Sequence, residues 1–360
     1  MSVAIIAGIH PTIPRASGIR SYAVGLARGL SRVGEKVILV GVGPEASLDF
    51  ASFQSVNPNY PVSTFTFVRS LARWIRHHPF ERGTVLHGQR PDDLLPLMRL
   101  RGRPRIVCTV HGDPRRGILE RHACLVRGLY RAAERKTLSR ADHVICVSQT
   151  GLEVYLKRFP QFRRKISVIP VGIDLSLFKP LDRTAARRQL GLDDRPTIVF
   201  AGRLESEKRV HAVTEALRTL PDPPQLVVAG EGRLRNRLQG ESDPTAVRFL
   251  GAVAHENMPL VLAAADALVL ASAFEGLPTV ALEALACGRP IIATRVGDLP
   301  LIIEEGRTGL FFDGAVLGLR DAVARLASLG NSQQSCERAA KRFGWDSVVP
   351  RVRETYYAVG

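Results

Sequence analysis

The chain has 360 residues, of which 45% are hydrophobic and 23% charged, so it is long enough for two domains and too apolar to be disordered. No run of about 18 uncharged apolar residues occurs, and the sequence therefore predicts no membrane-spanning helix. Five scattered cysteines without a C-x-x-C pair exclude a disulfide scaffold and a zinc ribbon, and are typical of a reduced, cytoplasmic chain.

The charge is unevenly distributed along the chain. Lys and Arg number 50 against 34 Asp and Glu, a net charge of +16. Residues 1–175 carry 27 basic and 12 acidic side chains, a net charge of +15, whereas residues 176–360 carry 23 and 22, a net charge of +1. Such an excess points to nucleic acid, an anionic membrane surface or an anionic substrate as the partner of the first half.

Short apolar runs alternate with amphipathic stretches through the first half. Helical periodicity covers 19–32, 68–77 and 118–140. Six runs predict buried strands: 3–8, 36–41, 84–87, 106–109, 144–147 and 167–169. This alternation is typical of βαβ units around a parallel sheet, and it predicts a first doubly wound domain over residues 1–170.

The second half repeats this rhythm after a segment rich in Gly, Pro and polar residues, 170–195, where we place the boundary. Its six predicted strands are 197–201, 225–229, 247–250, 267–270, 290–293 and 310–312. We therefore expect a second Rossmann-like domain over 171–345 and a C-terminal helix over 346–360 that can pack back on the first domain. Two such domains facing each other place a ligand cleft between the carboxyl ends of their sheets.

Two acidic residues bracket a predicted helix start after the strand 267–270. Glu275 and Glu283 are eight residues apart in FEGLPTVALE, with Gly276 and a proline between them. The backbone N–H groups of Thr279 and Val280 then lie at a helix N-terminus, which favours a phosphate. The alternative is an ordinary helix start with acidic neighbours, but two carboxylates at an anion-attracting site argue against it.

A second loop, AGRLESEK at 201–208, carries Arg203 and Lys208 after a predicted strand. Both side chains can hold a diphosphate and neutralise a leaving group. The alternative is a solvated charge cluster in which they pair with Glu205 and Glu207.

These motifs, in this order, resemble glycosyltransferase family four, the glycosyl transferases group 1. The resemblance rests on AGRLESEK, on VAGEG at 228–232, on the E-x7-E run with ALACGRP at 284–290, and in the first half on Gly18, TVHG at 109–112 and IPVGID at 169–174. The resemblance implies that this chain is a retaining, nucleotide-sugar-dependent enzyme with the GT-B fold. Ser17-Gly18 departs from the paired glycines common in the family.

The resemblance also implies roles for residues at matching positions. Arg203 and Lys208 would bind the donor diphosphate, Glu283 the ribose hydroxyls and Glu275 the transferred sugar. His111 would lie over the sugar, near the acceptor, and is counted as catalytic together with Glu275, Arg203 and Lys208. The remaining implied donor contacts are Gly18, Val253 (base), Gly276, Thr279 and Val280 (phosphate).

The implied reaction is retaining transfer by same-face attack, from UDP most commonly and GDP next, with no cofactor. No D-x-D triplet is present, so no metal is expected. The first half would receive the acceptor, with Arg90, Asp92 and Asp93 as candidate contacts.

Basic segments at 68–78, 99–105 and 115–140 suggest a peripheral membrane enzyme with a lipid-linked or anionic glycan acceptor, as in cell-envelope or exopolysaccharide synthesis. Alternatively these helices only cover the sheet. A small-metabolite acceptor and a nucleotide-sugar epimerase stay open. A nucleic-acid binder ranks last, because aromatic residues make up only 6%.

Overall fold

The computed structural model describes residues 1–13, 18–100, 104–112 and 124–357, which form two compact units. The first unit comprises the described residues up to Gly172 and those from Trp345 onward, and the second comprises Ile173–Gly344. The boundaries expected from the sequence, after residues 170 and 345, lie within two residues of the positions where the chain passes from one unit to the other. Residues 118–123 of the predicted helix 118–140 and residues 101–103 of a basic segment lie outside the described residues.

The first unit contains a seven-stranded, fully parallel sheet in the order β3-β2-β1-β4-β5-β6-β7. The strands are β1 Ser2–Ile6, β2 Lys36–Gly41, β3 Ser52–Ser55, β4 Val85–Gly88, β5 Ile106–Val110, β6 His143–Cys146 and β7 Ile166–Val168. The α-helices before the boundary are α1 Gly18–Arg32, α2 Thr64–Trp74, α3 Cys124–Arg140 and α4 Gln149–Arg158, with 3-10 turns at Asp92–Arg99 and Pro160–Lys165. Helices cover both faces, so β4 and β5 are buried throughout, as their unbroken apolar runs predict.

The second unit contains a six-stranded parallel sheet in the order β10-β9-β8-β11-β12-β13. Its strands are β8 Thr197–Ala201, β9 Gln225–Ala229, β10 Val247–Gly251, β11 Ala267–Leu270, β12 Ile291–Thr294 and β13 Gly309–Phe312. Its helices are α5 Arg183–Leu190, α6 Val210–Arg218, α7 Arg235–Glu241, α8 Met258–Ala264, α9 Thr279–Ala286, α10 Leu299–Ile302, α11 Val316–Ala324 and α12 Gln333–Lys341, with 3-10 turns at Ser206–Lys208, His255–Asn257 and Leu326–Leu329. The predicted pair of doubly wound α/β domains is confirmed.

The order in which successive strands are added reverses in the same way in both parallel sheets, between β1 and β4 and between β8 and β11. Ligands of open parallel sheets bind at the carboxyl ends of the strands beside such a switch point. The loops after β4, β8 and β11 are therefore where chemistry is expected.

The last helix, α13 Trp345–Tyr357, packs on α1 of the first unit. The Trp345 indole lies between Gly25 and Gly172, where a Cβ on either glycine would stand 2.4 Å from the ring. A Cβ at Gly29 would likewise stand 2.5 Å from Val349. These three glycines let the helix approach closely, which fixes it to the first unit. Over the described residues, no helix has both the length and the apolar character to cross a bilayer.

Candidate active site

The loops after β8 and β11 meet beside the switch point of the second sheet. The backbone N–H of Ala273 donates to the Glu207 carbonyl at 2.8 Å, which ties one loop to the other. Lys208 Nζ lies 2.5 Å from Glu275 Oε1, and Ser272 Oγ donates to the same oxygen at 2.6 Å. The structure thus joins two predicted site residues that are 67 positions apart in sequence.

This ion pair is largely shielded from water. The Lys208 and Glu275 side chains are 18% and 9% exposed. An ammonium has three donors, so Lys208 can serve a second acceptor in addition to Glu275. The pair therefore offers a cation and a carboxylate side by side at the position where a parallel sheet binds its ligand.

Arg203 is placed differently from Lys208. Its side chain is 56% exposed and donates to Glu207 at 3.0 Å. Glu205 instead accepts from Arg233 at 2.7 Å, and this hydrogen bond lowers the pKa of the Glu205 carboxyl. The solvated charge cluster considered as the alternative is therefore present around Arg203 but does not include Lys208.

Glycines of the VAGEG motif hold the same loops together. Gly202 N–H donates to the Ala229 carbonyl at 3.0 Å, and a Cβ on Gly230 would stand 1.8 Å from the Gly202 carbonyl oxygen. A Cβ on Gly232 would stand 2.4 Å from the Leu204 carbonyl oxygen. The motif serves the close packing of the β8 and β9 loops, which orients the segment that leads to Lys208.

The loop before α9 is fixed from its other side. The Gly276 carbonyl accepts from Asp298 N–H at 2.8 Å. Gly297 has φ +57°, and a Cβ there would stand 2.4 Å from the carbonyl oxygens of both Glu275 and Gly276. Helix α9 then begins at Thr279, so the amides of Thr279 and Val280 lie in its first turn as predicted.

Glu283 lies one turn further along α9 and is buried. Burial raises the pKa of its carboxyl to about 8, so the group holds a proton at neutral pH. His255 Nδ1 is 3.7 Å from Glu283 Oε1. Val253 follows β10 by two residues and packs half-buried against the core of this unit. Because its carboxyl is protonated, Glu283 can both donate a hydrogen bond to a ligand hydroxyl and accept one from it.

In the first unit, His111 follows β5 and contacts the loop after β4. Its Nε2 lies 3.1 Å from Gln89 Oε1, so the imidazole donates and the amide oxygen accepts. The Tyr22 ring packs edge-on at 4.8 Å. Burial among these groups, with Arg90 nearby, lowers the pKa of His111 to about 3. The imidazole is therefore neutral, and Nδ1 keeps a lone pair for an incoming hydroxyl.

The three candidate acceptor residues divide into a pair and a single residue. Arg90 Nη2 donates to buried Asp93 at 2.8 Å, and burial raises the pKa of Asp93 to about 7. Asp92 is 6% exposed, and neither of its carboxylate oxygens has a hydrogen-bond partner among the described residues. The buried amide nitrogen of Gln89 has none there either. Sequence reasoning missed Gln89, whose only signal is its position directly after a strand.

A hydrogen-bonded chain lies beneath this cluster. The His87 Nδ1 is 2.6 Å from the Tyr356 hydroxyl and its Nε2 is 2.7 Å from Thr109 Oγ1. Burial lowers the pKa of His87 to about 3. A neutral imidazole with both nitrogens bonded links α13 to β4 and β5, and so supports the strands that present Gln89 and His111.

Gly18 begins α1, and a Cβ there would meet no atom of the described residues within 4 Å. The fold itself therefore does not require glycine at this position. Within the described ranges, no group of three His, Cys, Asp or Glu side chains is arranged to hold a metal ion.

Comparison with known proteins identifies the family. The family model described as "Glycosyltransferase Family 4" matches residues 16–177, and that of "Glycosyl transferases group 1" matches residues 182–343. A D-inositol 3-phosphate glycosyltransferase of Mycobacterium sp. (strain KMS) is 34% identical over 194 residues, covering 51% of this chain and 44% of the relative. One from Xylanimonas cellulosilytica is 31% identical over 257 residues, covering 62% and 58%. The chain spans about half the length of the curated relatives it matches.

Solved structures agree on the fold. Sucrose-phosphate synthase from Thermosynechococcus elongatus superposes with a TM-score of 0.84 at 21% identity, covering 99% of this chain and 98% of that one. Anabaena HepE in complex with UDP and glucose superposes with a TM-score of 0.75 at 19% identity, covering 99% of each. The fold is that of the GT-B glycosyltransferases. The chain belongs to glycosyltransferase family 4.

Proposed function

We propose that the enzyme moves a sugar from a nucleotide diphosphate sugar, with UDP as the nucleotide, to a hydroxyl of its acceptor with retention of configuration. The observation that carries this proposal is the shielded Lys208–Glu275 pair at the switch point of the second sheet. Binding a phosphate requires a cation, and binding a sugar requires a group that accepts hydrogen bonds from its hydroxyls. The Lys208–Glu275 pair supplies both within one contact.

In the proposed donor complex, the diphosphate takes Lys208 and Arg203 as its cations and meets the amides of Thr279 and Val280. Protonated Glu283 serves the ribose hydroxyls, because a neutral carboxyl can donate to one and accept from another. The base lies near Val253, and Gly276 leaves room for the phosphates. Two side-chain cations compensate the diphosphate, so we propose that no metal is required.

The proposed reaction begins when Lys208 turns from Glu275 to the diphosphate. Glu275 is then free to accept a hydroxyl of the transferred sugar, with Ser272 still donating to it. The acceptor oxygen attacks the anomeric carbon on the face from which the nucleotide leaves, and its proton passes to the departing phosphate oxygen. The protein contributes positioning and charge stabilisation of that leaving group.

For the acceptor, we propose a polyhydroxylated compound bound at the carboxyl ends of β4 and β5. Asp92 offers a buried carboxylate and Gln89 a buried amide nitrogen, both without a partner among the described residues. Buried polar groups are normally hydrogen-bonded, so such a pair is suited to ligand hydroxyls. His111 would accept from a third hydroxyl. Because the relatives are named for inositol 3-phosphate, a polyol phosphate is the small-molecule candidate.

A lipid-linked or anionic glycan acceptor is the second candidate, favoured by the exposed arginines of the first unit. On and just after α2, Arg69, Arg73 and Arg76 are exposed, whereas Leu71 and Ile75 are buried in the core. Most of the apolar side of α2 is thus occupied, with Phe65 exposed near its start, and contact with a cytoplasmic membrane face would be mainly electrostatic. We expect sedimentation with anionic vesicles at low salt and release at high salt. Failure to sediment at low salt would remove membrane contact, and with it the argument for a lipid-linked acceptor.

The proposed function is tested first by a thermal-shift screen of UDP, GDP and their sugars. A ligand at 100 times its dissociation constant adds about 2.7 kcal/mol of stability, enough to raise the melting temperature measurably. The donor so identified is then incubated with candidate acceptors, and the anomeric configuration of the product is read by proton NMR. An inverted product, or epimerised donor without any transfer, contradicts the proposal.

A further inference from the structure

A cavity of about 490 Å³ lies in the second unit at the carboxyl ends of β11, β12 and β13. Its lining includes Arg209, Ser272, Arg295, Phe311 and Asp313. The donor contacts proposed above, except for the Ser272 hydroxyl that supports Glu275, do not use this space. Its size falls within the range of small-molecule sites.

Most charges around the cavity are satisfied within the protein. Arg295 forms an ion pair with Glu305, and its guanidinium lies 4.1 Å from the centre of the Phe311 ring. The Asp313 carboxylate accepts from the Ala315 N–H at 2.9 Å at the start of α11. The charges of Arg295 and Glu305 cancel, and the Asp313 carboxylate, held by a backbone N–H, leaves this wall one formal negative charge.

Arg209 is the exception. Its guanidinium has no hydrogen bond or ion pair to any described residue, although the side chain is half-buried. It lies against Gly314, where an added Cβ would stand 3.1 Å from Arg209 Nη1, so the glycine leaves it space. A ligand that enters the cavity thus meets a guanidinium whose N–H donors are not used by any described residue.

The Arg209 backbone is also unusual. With φ +52°, it is the only non-glycine residue of positive φ in the described part of the chain. A residue with a β-carbon disfavours this conformation, which glycine adopts freely. Residues held in such strained conformations cluster at functional sites.

The cavity adjoins the site of the transferred sugar. Arg209 directly follows Lys208 in the sequence, and Ser272, which lines the cavity, donates to Glu275 at 2.6 Å. A substituent of a sugar held by Glu275 therefore has this space as its neighbour.

We propose that the cavity is a subsite for an anionic group, a carboxylate or a phosphate, carried by the sugar bound at Glu275, with Arg209 as its specificity-determining residue. A guanidinium presents paired N–H donors that match either oxyanion. The location beside the transferred sugar rests on the proposed function, whereas the anion preference of the cavity does not.

The test is calorimetric titration of the full chain with two matched ligand pairs, UDP-glucuronate against UDP-glucose and glucose 6-phosphate against glucose. In the wild type, we expect at least one anionic ligand to bind about tenfold or more tightly than its neutral counterpart. A preference in the first pair assigns a carboxylate on the donor, and one in the second assigns a phosphate. Equal affinities in both pairs, or no binding of any of them, overturn the proposal.

The diagnostic variant is Arg209→Gly, because glycine accepts the left-handed backbone and the fold is kept. The anionic preference should disappear in Arg209→Gly, persist in part in Arg209→Lys, and be unchanged in Arg237→Ala, which alters an exposed arginine of α7. Affinity for UDP alone should stay the same in all three variants. A preference that survives Arg209→Gly overturns the subsite. If UDP fails to bind the wild type, the proposed function fails instead, while the glucose 6-phosphate comparison still judges the cavity.

Discussion

Replacing Lys208 by alanine removes the cation that the structure places beside Glu275. Lys208 Nζ and Glu275 Oε1 are 2.5 Å apart, and both side chains are mostly buried. Truncation leaves the Glu275 carboxylate with the Ser272 hydroxyl as its remaining side-chain donor. Leaving a buried acceptor short of a partner costs about 1–3 kcal/mol, so the free energy of unfolding should fall by about that amount.

The effect on catalysis should be larger than the effect on stability. Loss of one preorganised electrostatic donor removes about 2–4 kcal/mol of transition-state stabilisation. At about 1.4 kcal/mol for each tenfold change, kcat falls by roughly 30- to 1000-fold. The assay is release of UDP from the donor sugar identified by the screen, with urea unfolding measured on the same preparation.

Two further variants separate the causes. Lys179→Ala removes an exposed lysine of the same unit and should leave both quantities unchanged. A double-mutant cycle with Glu275→Ala isolates the coupling between the two side chains. Turnover of Lys208→Ala within about threefold of the wild type, in a folded protein, would refute the role given to this lysine.

Four other predictions follow from the described contacts. Because the folded-state pKa of Glu283 is raised to about 8, its contribution to stability is fully present below pH 4.5 and is lost as the pH rises toward 8. Between pH 5 and pH 8, the free energy of unfolding of Glu283→Gln should therefore rise relative to that of the wild type by up to several kcal/mol, at about 1.4 kcal/mol per pKa unit. A difference that does not change with pH contradicts this. Asp92→Asn removes a buried carboxylate that has no hydrogen-bond partner among the described residues, and Arg90 keeps Asp93 as its partner, so the melting temperature should hold or rise. The KM for the acceptor should rise about tenfold, and an unchanged KM would remove Asp92 from the acceptor site. Trp345→Ala should lower the free energy of unfolding in urea by about 3–5 kcal/mol, since the indole fills the space between Gly25 and Gly172, and a loss below about 1 kcal/mol would show that α13 is not held this way. Turnover should persist in excess EDTA, and its abolition with recovery on adding Mg²⁺ would show that side-chain cations do not suffice.

The strands were predictable because a strand that is buried on both faces of a sheet consists of consecutive apolar residues. All twelve expected strands overlap strands of the structure, with ends shifted by at most two residues. Strand β3, Ser52–Ser55, was missed, because it lies at the sheet edge and alternates exposed and half-buried residues. Its four residues carry too little apolar signal to stand out from a loop.

The candidate site was predictable only where its residues lie close together in the sequence. Glu275 and Glu283 lie on one short segment, so their spacing and the helix start between them can be read from the sequence. The contact of Lys208 with Glu275 depends on β8 and β11 being neighbours, which no local pattern encodes.

Other features depend on three-dimensional placement alone. Gln89 looks like an ordinary loop residue until His111 is placed against it. The left-handed conformation of Arg209 leaves no mark in the sequence, since arginine is not a residue that typically adopts it. Gly25 and Gly172 acquire their meaning only when Trp345 packs between them.

The most direct test of the proposed donor site is a crystal structure of the enzyme with UDP bound. We predict the ribose hydroxyls within hydrogen-bond distance of Glu283, and the diphosphate within reach of Lys208 and of the first-turn amides of α9. The Lys208–Glu275 contact should be opened in that complex. UDP bound elsewhere on the second unit, or on the first unit, with Lys208 still paired to Glu275, would contradict the proposed function.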